Sequence, residues 1–179
     1  EKRQVLSAVS GKYLDDKETA AEFARAVGTI GSDYDKGQAL AALVNDHKLT
    51  ADQLKVVLPA VAKMGSDHDK AEALLGIMKA STEAIAQPVF FEAVNGIKSD
   101  YDRARVLMAV LKTKDPSNAV LKLVVTSAAG ISADYEKAQV LIAAAKVTKD
   151  DEIRKQLVEA ARTIRSDYER GNALAAATK

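Results

Sequence analysis

Residues 32–36 read SDYDK, and the same pattern returns as SDHDK at 66–70, SDYDR at 99–103, ADYEK at 133–137 and SDYER at 166–170. Its first acid falls at Asp33, Asp67, Asp100, Asp134 and Asp167, a spacing of 33 or 34 residues. A fixed period in this range is the mark of stacked supersecondary units, each of which buries its apolar face against its neighbours. Repeat boundaries are expected near 33, 67, 100, 134 and 167, within a single helical-repeat domain over 1–179.

The residues after the motif give the first half of each unit helical spacing. In DYEKAQVLIAAAK, 134–146, Val140, Leu141 and Ala144 recur on one face. The matching leucines are Leu6, Leu40, Leu74, Leu107 and Leu174, and such constancy between internal copies points to an interhelix core contact. The motif itself reads as a helix start. Ser32 precedes Asp35 by three residues, as Ser66 precedes Asp69, Ser99 precedes Asp102 and Ser166 precedes Glu169, the spacing of a capping box. Ala133 breaks the series, and Asp134 is expected to cap in its place. The aromatic at Tyr34, Tyr101, Tyr135 and Tyr168, replaced once by His68, is expected to pack back across the turn on Ile30, Ile97, Ile131, Ile164 and Met64, with its polar edge near water. A row of ligand-facing tyrosines is the alternative.

The second half of each unit is a further helix. Thr50 and Gln53 have capping-box spacing, and Asp115 followed by Pro116 reads as N-cap and first helical residue. Phe23, Val57, Phe91, Val124 and Val158 share one apolar position. Gly31, Gly65 and Gly130 stand near helix ends, where a left-handed backbone would be cheap. Pro88 is expected to delay or bend its helix, and Pro59 poses the same problem in α-helical sequence. The sum is an all-α fold, an α-solenoid of antiparallel two-helix repeats in a right-handed stack, with eleven helices. Because EKRQVL at 1–6 aligns with EKAQVL at 136–141, and 168–179 matches only a first half, the array is expected to continue past both ends.

Composition narrows function less. Lys and Arg total 26 against 25 Asp and Glu, so there is no general pull toward nucleic acid or anionic membrane. Lys2, Lys36, Lys70, Arg103, Lys137 and Arg170 recur beside equally periodic acids, which weakens any basic stripe. The chain has no cysteine and no apolar run long enough to span a bilayer. It carries no phosphate-loop, nucleophile-elbow or zinc-protease motif. Catalytic, cofactor-binding and metal-binding residues are therefore expected to be none. A paired carboxylate copied into every repeat reads as scaffold. His47 and His68, with nearby aspartates, are the only candidates for a metal-dependent enzyme, the runner-up reading; a nucleic-acid-binding repeat is the third.

The expected role is a non-catalytic module that binds protein or peptide, or a structural spacer, without direct membrane insertion. Candidate partner contacts are Lys55, Lys63, Lys122, Arg154 and Arg162 on the second helices, with Phe90 if Pro88 turns its helix outward.

The repeated unit of Ser, Asp, Tyr, an acid, a base, two variable residues, a small apolar residue and Leu covers Ser32–Leu40, Ser66–Leu74, Ser99–Leu107, Asp134–Leu141 and Ser166–Leu174. It resembles helical repeats of bacterial proteins, including extracytoplasmic regions attached to BlaR-type peptidase or anti-sigma-like membrane modules. The resemblance implies an architectural or sensory segment and a periplasmic or extracytoplasmic location. No metallopeptidase signature accompanies it. The tetratricopeptide pattern, similar in period, is absent.

Overall fold

Helix starts dominate this structure. The computed structural model describes residues 17–46 and 49–179, together with Lys2 and Leu6. Among the described residues all regular structure is helical. The ten α-helices are α1 (Lys17–Gly28), α2 (Asp33–Asp46), α3 (Ala51–Ala62), α4 (Asp67–Ala80), α5 (Pro88–Asn95), α6 (Asp100–Leu111), α7 (Asn118–Ala129), α8 (Asp134–Val147), α9 (Asp151–Arg162) and α10 (Asp167–Ala177). A 3₁₀ turn over Thr82–Ala86 precedes α5. The helix expected at the N-terminus, and His47, lie outside the described residues.

The chain gathers into two compact units, residues 1–97 and 98–179. In the first, α1 packs on α3, α3 on α5 and α2 on α4. In the second, α6 packs on α8 and α8 on α10, while α7 packs on α9. First-half helices thus form one layer in each unit and second-half helices another. The expected equivalences hold in the core. Leu40, Leu74, Leu107 and Leu141 are buried, as are Phe23, Val57, Phe91 and Val124. Leu174 and Val158 are half-buried.

Local sequence explains most boundaries. Thr50 and Gln53 complete a reciprocal box: the Thr50 N–H donates to Gln53 Oε1 at 2.8 Å, and the Gln53 N–H to Thr50 Oγ1 at 3.3 Å. Pro88 does delay its helix. It occupies the first turn of α5, where its missing N–H costs nothing, and the intervening residues form the 3₁₀ turn. Pro59 lies inside α3, which continues through it to Ala62.

Three expectations are corrected. Asp115 does not cap α7: its φ of 50° is left-handed, and Ser117 caps instead, its Oγ accepting the Val120 N–H at 3.3 Å. Gly130 has φ of −79°, an ordinary right-handed value, so its use lies elsewhere. Phe90 is fully buried against Phe91, rings 5.5 Å apart and edge to face, and so is no surface anchor. Starting α5 at Pro88 keeps both rings on core positions.

Candidate functional site

The repeated motif divides its residues between holding the fold and facing solvent. Ser32, Ser66, Ser99 and Ser166 accept the N–H of the acid three residues on, at 3.2 to 3.4 Å. The return half of the expected capping box comes from a different acid. The N–H of Ser66 donates to Asp33 Oδ2 at 2.7 Å, and that of Gly65 to the same oxygen at 2.7 Å. Asp100 Oδ2 likewise accepts from Ser132 and Ala133, at 3.1 and 2.8 Å. Asp134 accepts from Arg165 and Ser166, at 3.3 and 2.9 Å. In these three cases the first acid of one motif caps the helix that opens the next. This corrects the expectation for Asp134: its carboxylate serves the following helix, and the N-cap of α8 is Ala133, which offers no side-chain cap.

The carboxylates respond electrostatically. Asp33 is held below the ordinary carboxylate value, chiefly by the 2.8 Å bond from Lys36 Nζ; partial burial opposes this, and the Ser66 and Gly65 N–H groups add to the lowering. Asp134 is lowered first by the Ser166 N–H and, against a smaller desolvation effect, by the Arg165 N–H.

The base of the motif reaches the other way, to the residue that ends the second helix of its own unit. Lys70 Nζ donates to the Gly96 carbonyl at 3.2 Å, and Arg103 to the Gly130 carbonyl at 3.2 Å. Lys137 Nζ donates to Thr163 Oγ1 at 3.0 Å. Cations are favourable at a helix C-terminus, where carbonyls lack partners. A Cβ on Gly96 would stand 3.3 Å from Lys70 Nζ, and one on Gly130 3.1 Å from the Arg103 guanidinium. Glycine here makes room for the cation.

The aromatic has the opposite fate. Tyr34, Tyr101, Tyr135 and Tyr168 are 59, 64, 59 and 75% exposed, so the rings stand largely at the surface. Ile30, Met64, Ile97, Ile131 and Ile164 are buried. Four residues on, one turn along the same face, stand Gln38, Glu72, Arg105, Gln139 and Asn172. Gln38, Glu72, Gln139 and Asn172 are exposed, and Arg105 lies over the Tyr101 ring, 5.7 Å from its centre. In the first unit, Tyr34, Gln38, His68, Asp69 and Glu72 border a shallow pocket of about 270 Å³ floored by Gly37, Ala41, Ala73 and Gly76.

The partner contacts expected on second helices are scattered and partly committed. Lys55 pairs with Asp52 at 2.8 Å and Arg162 with Glu159 at 3.3 Å, both within one exposed helical turn. Arg154 donates to the carbonyls of Thr148 and Ala177, at 3.1 and 3.4 Å. Lys122 and Lys63 are exposed. Among the described residues, no group of three or more His, Cys, Asp or Glu is arranged to hold a metal ion. No helix there is long and apolar enough to cross a membrane. Sequence reasoning held the exposed Tyr face only as the alternative to packing and placed its candidate contacts on the second helices. The signal was present: an aromatic retained in four of five copies, at a helix start already supplied with its caps. Comparison with family models, curated proteins and solved structures returns no match.

Proposed function

We propose that the helix pairs of each unit stack as an antiparallel α-solenoid, and that the tyrosine-bearing face of the first-half helices docks an extended segment of another protein, without catalysis. The observation that carries this reading is the outward tyrosine. Ser of the motif caps its own helix, and Asp33, Asp100, Asp134, Lys70, Arg103 and Lys137 bond across to other helices, whereas the internally repeated aromatic faces water. Tyrosine supplies large contact area at low entropic cost, and a polar side chain one turn away supplies hydrogen bonds to a peptide backbone. The short connections between helices favour the antiparallel arrangement.

Geometry suggests the register. Packed helices lie about 8–10 Å apart. An extended chain advances about 3.3 Å per residue, so successive tyrosines of α6, α8 and α10 would meet about every third residue of the partner. The test is selection of peptides from a random library on the intact chain, followed by titration of those selected. Binding should be lost in the Tyr101→Ser/Tyr135→Ser/Tyr168→Ser variant, with unchanged helical circular dichroism. It should survive charge reversal at Lys55, Lys122 and Arg162. Binding insensitive to the tyrosines defeats this assignment, and failure to select any peptide favours the spacer role.

A further inference from the structure

The first unit breaks the rule that the base of the motif rests on a helix end. At the position equivalent to Gly96, Gly130 and Thr163, the residue that caps the end of α3 is Lys63. Lys36 pairs instead with Asp33, within the first turn of its own helix. The two lysines line a cavity of about 420 Å³ with Arg25, and its remaining described wall is small or apolar: Ala24, Gly28, Val56, Pro59 and Ala60. Arg25 is paired with the exposed Glu22 at 2.9 Å, and Lys36 with Asp33. Lys63 has no ion-pair partner among the described residues. No carboxylate is among the described residues that line the cavity.

We propose that this cavity is a binding site for a small organic anion: one phosphate or carboxylate head on a compact apolar body. Two of its three cations already have a counter-charge, which leaves demand for a singly or doubly charged head. Lys63 and Lys36 would hold the head from α3 and α2, and Arg25 would close on it from α1. Val56 and Pro59 offer surface to the body, within the size range of small-molecule pockets. In the sister repeats, which have Gly or Thr in place of Lys63, the motif base bonds the helix end directly. The site is thus peculiar to the repeat that begins at Asp33, and it stands independently of peptide docking.

The test uses the intact chain and amide NMR titration with phenyl phosphate, benzoate and inorganic phosphate as probes. Phenyl phosphate or benzoate should shift the amides of Arg25, Gly28, Lys36, Ala60 and Lys63 saturably. The tighter of the two identifies the head and should bind at least threefold more tightly than inorganic phosphate. Lys63→Gly copies Gly96 and Gly130, and should weaken binding at least tenfold with the fold intact. Lys63→Thr copies Thr163 and serves the same end if the glycine variant unfolds. Absence of saturable shifts, equal affinity for inorganic phosphate, or undiminished binding by the folded Lys63 variant would overturn the proposal.

Discussion

Asp33 Oδ2 lies 2.7 Å from the backbone nitrogen of Ser66, joining two motifs one repeat apart. The same oxygen takes the Gly65 N–H, and Lys36 holds the other oxygen. Hydrogen bonds to an ionised acceptor each stabilise by about 1.5–3 kcal/mol, and orphaned partners add a desolvation cost where they are buried. Asp33→Ala should therefore lower unfolding free energy by about 2–3 kcal/mol in urea titration. Gln38→Ala, on the exposed face of the same helix, should change it by less than about 0.5 kcal/mol.

Acid should undo the same bonds. Asp33 and Asp134 have folded pKa values below the unfolded one. Their contribution is therefore fully present above the unfolded value, about 3.9, and disappears as pH falls through the folded values. The urea midpoint should drop between about pH 5 and pH 2. In Asp33→Asn/Asp134→Asn this drop should be shallower, starting from a lower plateau. A wild-type and a variant curve of equal steepness would show that other carboxylates control acid unfolding.

Ala133 marks a repair that the chain leaves undone. Ser66, Ser99 and Ser166 each cap their helix from the equivalent position. Ala133 has φ of −74° and ψ of 118°, close to the −77° and 118° of Ser66. Ala133→Ser should accordingly stabilise by about 0.5–1 kcal/mol, visible as a higher melting temperature. An unchanged or lower value would mean that water already satisfies the Glu136 N–H equally well.

Core and repeated aromatic should part company on truncation. Phe90→Ala removes a fully buried ring and should cost about 3–5 kcal/mol. Tyr135→Ala removes a ring that is 59% exposed and should stay within about 0.5 kcal/mol. A large loss at Tyr135 would assign the tyrosines a folding role and remove the main support for peptide docking.

The parts of this architecture that follow local rules were legible in the sequence. Ser caps, the buried leucines and the delayed start at Pro88 all depend on residues within a few positions of one another. The role of Asp33 was not, because its partner is Ser66, and spacing alone assigns an acid at a helix start to its own helix. The surplus was nevertheless readable: Ser32 and Asp35 already completed a capping box on paper, so Asp33 had no task there. Lys70 posed the same problem, since nothing near it in sequence announces Gly96. The exposure of the tyrosines was harder to read, because an aromatic beside an apolar residue fits packing and recognition alike. Lys63 could be seen as a surface cation, but its setting beside Lys36 required the ends of two helices in space.

Because Asp33 acts on Ser66, and Asp100 on Ala133, damage and symptom are separated along the chain. A lesion at Asp100 leaves its own helix α6 capped by Ser99 and robs α8, whose start has no serine to fall back on. Genetic suppressors of such a lesion would accordingly cluster around 132–133, a full period downstream, so a mutational map of this chain would show its dependencies as an echo displaced from their source.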